Sequence, residues 1–133
     1  MNYALDTNTI IYLLNDNQSV IDRRDKAVAA GKRFIIPPIV DYEIRRGLLY
    51  KPSPKKEPMY WALVNRYGVG DMTSAMWVRA AQIYVDLRRK SLTVGDADIL
   101  IAAFCVVNGY ALVTNNVKDF ENIDGLQLVN WAE

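Results

Sequence analysis

The feature that most constrains this chain is a hydrophobic period that switches back and forth along it. Short runs that are apolar throughout alternate with longer stretches whose apolar residues recur at helical spacing. Tyr3-Ala4-Leu5, Phe34-Ile35-Ile36, Ala111-Leu112-Val113 and residues 126–129 read as strands, with a weaker one near 69–72. Between them, Asp6-Thr7-Asn8-Thr9 supplies N-cap chemistry for a helix through Ile10, Ile11, Leu13 and Leu14. Further helices are expected over residues 19–30, ended by Gly31, and over 39–49, with a proline at or near the first position. After a proline-rich basic loop at 51–58 come helices at about 59–67, 74–90 and 97–107. The last is apolar on every side, as a helix buried against a sheet must be, and Gly109 stops it. Strands alternating with helices make βαβ units, so the expected class is α/β, with a mainly parallel sheet of four or five strands flanked by helices. At 133 residues the chain is expected to form one domain, residues 1–133.

Composition then narrows the chemistry. The chain has no histidine and one cysteine, Cys105. That excludes Ser-His-Asp and Cys-His catalysis, histidine proton shuttles and nearly all zinc sites. Hydrolysis here would have to use carboxylates, amides, hydroxyls and a hard cation. A net charge of +1 gives no global field toward nucleic acid, so any such binding needs locally segregated charge. No apolar run approaches the ~18 residues of a membrane span, and the opening Asn2-Tyr3-Ala4-Leu5-Asp6 lacks the basic start of a signal peptide. No membrane association and a cytoplasmic setting are therefore expected.

In open parallel sheets, ligands bind beyond the carboxyl ends of the strands. Asp6 ends the first strand; Glu43 lies in the second turn of the helix after the second strand; Asp98 opens the buried helix; Thr114-Asn115-Asn116 follow a later strand, with Asp119 close behind. Each has a purely structural alternative: Asp6 as a capping turn, Asp98 as a dipole partner with Asp96 as N-cap, and 114–119 as a solvated loop. Glu43 is harder to explain so. It falls inside the apolar arc that holds Ile44 and Leu48, with no Lys or Arg on that arc, while Asp41 and Arg45 lie on the opposite side. A carboxylate facing an apolar arc is costly unless a proton, a partner or a metal neutralises it. Carboxylate, amide and hydroxyl oxygens form a hard set suited to Mg²⁺ or Mn²⁺.

The segments Leu5-Asp6-Thr7-Asn8, Asp41-Tyr-Glu43-Ile-Arg-Arg-Gly47-Leu, Val94-Gly-Asp-Ala-Asp98-Ile-Leu-Ile-Ala-Ala103 and Gly109-Tyr-Ala-Leu-Val-Thr114-Asn-Asn116-Val-Lys-Asp119-Phe120 resemble, in order and spacing, the signatures of PIN-domain ribonucleases of the VapC toxin type. Gly125-Leu126 and Trp131 resemble that family's C-terminal end, so the likeness spans nearly the whole chain. It implies a PIN-like three-layer fold and Mg²⁺-dependent hydrolysis of RNA phosphodiesters, with tRNA or rRNA loops as targets and translation as the process inhibited. By the resemblance, Asp6, Glu43 and Asp98 are the metal-binding acids. The fourth acidic position of many members matches Asn116 here, a departure; similar VapC toxins also read Thr-Asn-Asn, with an acid three residues on, which makes Asp119 the replacement. Thr114 matches a hydroxyl near the site and Asn8 an amide behind it, while Asp96 matches no ligand and reads as a cap or an outer acid. The implied partners are a VapB-type antitoxin and a second copy of the chain.

Basic residues are segregated at Arg45, Arg46, Lys51, Lys55 and Lys56, next to the helix carrying Glu43, and are expected to meet the RNA backbone. The triplet Arg88-Arg89-Lys90 reads instead as cations at a helix C-terminus. Tyr42, Tyr50, Tyr60 and Trp61 are either base-stacking groups or core and dimer contacts. Two other readings are kept: a Mg²⁺-dependent aspartyl phosphotransfer domain, which also places an Asp after the first strand and would draw on Asp71, and a non-catalytic PIN-fold interaction module.

Overall fold

The computed structural model describes residues 2–132, so both ends of the expected domain, Met1 and Glu133, lie outside the described residues. In chain order the elements are β1 (Tyr3–Leu5), α1 (Thr7–Leu14), α2 (Gln18–Ala29), β2 (Phe34–Ile35), α3 (Pro38–Tyr50), α4 (Lys56–Tyr67), α5 (Ser74–Arg89), α6 (Asp96–Asn108), β3 (Ala111–Val113), α7 (Val117–Phe120) and β4 (Gln127–Val129). The strands form one sheet in the order β2-β1-β3-β4, and every pairing is parallel. The α/β class with a parallel sheet flanked by helices is therefore observed, with four strands.

The expected strand near 69–72 shrinks to a single parallel bridge between Ile36 and Val69. The reason is Gly70. A Cβ there would lie 2.5 Å from Cζ of Phe104, a ring that is buried in the core, so the segment passes too close to α6 to carry alternating side chains. Asp71, beyond it, is exposed and ends no strand. The helix expected at 59–67 begins earlier, at Lys56, because the Lys56 amide donates to Ser53 Oγ at 3.1 Å and Pro58 sits in the first turn, where a missing N–H costs nothing.

The core gathers Ala4 and Leu5 of β1, Leu112 and Val113 of β3 and the run Ile101–Cys105 of α6, all essentially inaccessible. The near-continuous apolar character of α6 follows from this: the sheet, α3, α5 and α7 surround it. Gly109, at φ 72°, closes α6 in the left-handed conformation. Register then fixes the site. Ala4 pairs with both Ile35 and Leu112, and the ladder runs on past the strand ends: the Asp6 amide donates to Val113 O at 3.0 Å, and Thr114 to Val129 O at 2.9 Å. Asp6 and Thr114 thus leave neighbouring strands side by side.

Candidate active site

Asp6 is the most enclosed acid of the described residues, 3% exposed. Its Oδ1 accepts from the Thr7 amide at 2.8 Å, and its Oδ2 accepts from Thr114 Oγ1 at 2.7 Å and from Asn8 Nδ2 at 3.0 Å. Thr114 is itself fully buried, and its Oγ1 accepts in turn from the Asn116 amide at 3.0 Å. Asn8 Oδ1 accepts from the Asn115 amide at 3.1 Å, which ties the loop after β3 to α1. Asp6 does stand at the N-cap of α1, as the capping alternative required, but its carboxylate is held mainly by groups at the sheet edge.

Glu43 sits one turn inside α3, and its Oε1 accepts from Thr7 Oγ1 at 2.8 Å. The expectation that no cation shares its arc is corrected here: Arg46 Nη2 lies 3.6 Å from Glu43 Oε2, an i,i+3 neighbour that folds back along the helix. A second correction concerns Asp41. Placed on the solvent side by periodicity, it is in fact more covered than Glu43 (16% against 21% exposed), because α4 packs over it. Tyr60 donates to Asp41 Oδ1 at 2.6 Å and Arg45 Nε to Oδ2 at 2.8 Å, and the Arg45 guanidinium lies 4.6 Å from the centre of the Trp61 ring. Tyr60 is fully buried, so it is a core residue and cannot stack on a base.

Asp98 is the third residue of α6, whose N-cap is Gly95; Asp96 is the first helical residue and exposed, not the cap. Among the described residues no hydrogen bond or ion pair reaches the Asp98 carboxylate. Its pKa is pushed up to about 6, first by burial and then by the charges of Asp6, Asp119 and Glu43. This occurs even though a helix N-terminus favours the ionised form. Asp6 is also raised, by burial first, against the hydrogen bonds from Thr114 and Thr7, with Glu43 adding to the rise. The sheet edge therefore brings Asp6, Glu43, Asp98 and Asp119 within electrostatic reach of one another.

Asn116 precedes α7 with its side chain exposed, and Asp119 is exposed in α7. Asp96 is not among the charges that raise Asp98. Among the described residues no three acidic side chains have closed into a finished metal cage. The donor set nonetheless fits a hard divalent cation: every side-chain donor is an oxygen, and of the four carboxylates only Glu43 has a cation beside it, the loosely held Arg46.

Of the expected basic residues, Arg45 is committed to Asp41, and Lys55 to Asp16 at 3.0 Å. Lys51 and Lys56 instead border a groove of about 460 Å³ that begins at Thr7 and Glu43 and is floored by Ile11, Leu14, Ile44 and Leu48. Sequence reasoning placed Thr7 only in the capping turn and gave it no contact with Glu43, although its place between Asp6 and Asn8 was the available signal. No helix among the described residues is long and apolar enough to cross a membrane.

The profile of the PIN domain family matches residues 3–126. The chain is 31% identical over 134 residues to ribonuclease VapC2 of Rickettsia felis, covering 98% of each protein. It is 28% identical over 133 residues to the tRNA(fMet)-specific endonuclease VapC of Salmonella typhimurium, covering 99% of each. Among solved structures, VapBC2 from Rickettsia felis bound to a DNA fragment from its promoter superposes with a TM-score of 0.90 at 28% identity, over 98% of this chain and 99% of that one. The family match, the relatives and the fold agree: this chain belongs to the PIN-domain family, in its VapC group.

Proposed function

We propose that the protein is a Mg²⁺-dependent endoribonuclease toxin, with Mn²⁺ able to substitute, that cuts tRNA or rRNA loops in the cytoplasm and so inhibits translation. The observation that carries this reading is the gathering of four carboxylates at one sheet edge, strong enough to push Asp98 to about 6. Its similarity to a ribonuclease and to a tRNA-specific endonuclease supports the substrate class.

In this reading Asp6, Glu43 and Asp98 hold the cation, and Asn116 and Asp119 complete a further position. A bound divalent cation lowers the pKa of water and neutralises charge on the phosphoryl oxygens. Thr114 and Asn8 hold Oδ2 of Asp6 and the Thr7 amide holds Oδ1, while Thr7 Oγ1 fixes one oxygen of Glu43 and leaves the other in loose contact with Arg46. Asp96 stands outside this set as an outer acid. With no histidine in the chain, water must be oriented and its proton accepted by oxygen groups, and the acids hold the cation's charge at this edge. Arg46, Lys51 and Lys56 offer positive charge beside Glu43 for the RNA backbone, with Arg45 and Lys55 farther out in ion pairs of their own.

Similar solved structures include VapBC complexes from Rickettsia felis and Haemophilus influenzae, which supports a VapB-type antitoxin as partner. The apolar groove opening on Thr7 and Glu43 gives such a partner a place from which to block the site. A homodimer is the expected state of the toxin. The reading is tested by sequencing cleavage sites in total RNA after expression, with Asp6→Ala as control. Discrete new 5′ ends in tRNA or rRNA loops that vanish in the variant support it; identical RNA from both proteins overturns it.

A further inference from the structure

The acids at the sheet edge are not left without a counter-charge. Among the described residues no Lys or Arg other than Arg46 ion-pairs with Asp6, Glu43, Asp98 or Asp119. The contact is loose: 3.6 Å from Nη2 to Oε2 is longer than a hydrogen bond, and the Arg46 side chain is 59% exposed. Such a pair adds little to folding.

The two ends of the pair differ in what else holds them. Glu43 stays fixed when the arginine leaves, because Thr7 Oγ1 keeps its other oxygen at 2.8 Å. Arg46 has a second resting place, since its guanidinium already lies 5.0 Å from the centre of the Tyr42 ring, itself 57% exposed. A guanidinium stacked on an exposed ring keeps its donor edge free for a phosphate.

We propose that Arg46 is the resident counter-ion of the acidic edge and is handed from Glu43 to the RNA phosphate backbone when a divalent cation takes its place, so that cation and RNA bind cooperatively. The inference rests on the ribonuclease reading above and adds the order of events at its site. A divalent cation at Glu43 neutralises the carboxylate better than the arginine does and repels the guanidinium. The freed Arg46, still beside the site on Tyr42, then meets the phosphodiester that the cation also faces. By linkage, RNA held by Arg46 raises cation affinity by the same factor.

The test compares the full-length protein with Arg46→Met and Arg46→Lys. Mn²⁺ binding is measured by calorimetry without RNA, and KM and kcat are measured on a single-stranded RNA at low and saturating Mn²⁺. Arg46→Met should bind Mn²⁺ about twofold to fivefold more tightly, the scale of a surface ion pair lost as a competitor. Its KM should rise about tenfold, the scale of one charge-assisted contact, with a larger effect on KM than on kcat. The drop in KM from low to saturating Mn²⁺ should be smaller than in the parent. Arg46→Lys should keep Mn²⁺ affinity near the parent and recover part of the KM. A residue that only shaped the site would weaken both ligands, and a plain surface cation would leave Mn²⁺ affinity unchanged; either result, or tighter Mn²⁺ with unchanged KM, overturns the handover. A parent that binds no Mn²⁺ and cuts no RNA overturns the ribonuclease reading itself, and the handover with it.

Discussion

Replacing Asp98 by Asn should make the metal-free protein more stable. Asp98 has an ordinary value of 3.8 and is held at about 6 in the folded chain. Between those values the native state binds more protons than the unfolded chain, so stability falls as pH rises through that window, and the full cost applies above pH 6. Two pH units correspond to about 3 kcal/mol at 1.36 kcal/mol each, and partial solvent screening of a half-buried group reduces this to about 1–2 kcal/mol. Asn keeps the shape, carries no charge and breaks no hydrogen bond found among the described residues. In EDTA at pH 7.5 the variant should melt about 3–8 °C above the parent. At pH 4, where the parent's Asp98 is protonated in the folded state, the gap should close. Excess Mg²⁺ should raise the parent's melting temperature and leave Asp98→Asn nearly unchanged, because the ligand charge is gone. Calorimetric melts at both pH values check this. A variant less stable than the parent in EDTA at pH 7.5, or a gap that persists at pH 4, would refute the argument that burial and the other acids disfavour the charge on Asp98.

Thr114→Val should cost about 1–3 kcal/mol in urea unfolding, since it removes a fully buried donor to Asp6 and an acceptor for the Asn116 amide. Gly70→Ala should cost about 1–3 kcal/mol by overpacking, because the new methyl would stand 2.5 Å from the buried Phe104 ring; thermal melts would read it, and an unchanged melting temperature would mean that the segment shifts freely. Asn116→Asp should lower the Mg²⁺ concentration needed for half-maximal RNA cleavage and Asp119→Ala should raise it, measured as initial rates across a Mg²⁺ titration; no change in either would remove both residues from the site.

The parallel α/β arrangement was legible because its strands are apolar on both faces and its helices end at Gly31 and Gly109 or start after Pro37, signals set by backbone chemistry alone. Asp6, Glu43, Asp98 and Asp119 were legible as a group because crossover helices in a parallel sheet all begin at one edge. What failed depended on neighbours distant in sequence. Asp41 read as solvent-facing because periodicity describes one helix and knows nothing of Tyr60 arriving from α4. Glu43's arc read as free of cations because a helical wheel projects Cα positions, whereas the long side chain of Arg46 reaches back to its i−3 neighbour. The start of α4 was missed because proline marks both a loop and a permitted first turn, and only the Ser53 contact distinguishes them. The strand at 69–72 failed through the close approach of Gly70 to α6, a tertiary fact without a local signature.

The central claim, that the acids at this edge serve metal-assisted hydrolysis of RNA, is met most directly by one measurement: cleavage of purified RNA by the purified protein in Mg²⁺ and in excess EDTA, with the chemistry of the new ends determined. In the proposed mechanism water is the nucleophile, in keeping with a chain that has no histidine to drive attack by the 2′-hydroxyl. Cleavage should require Mg²⁺, stop in EDTA, and leave ends without a 2′,3′-cyclic phosphate. Undiminished cleavage in EDTA, or cyclic-phosphate ends, would contradict the account.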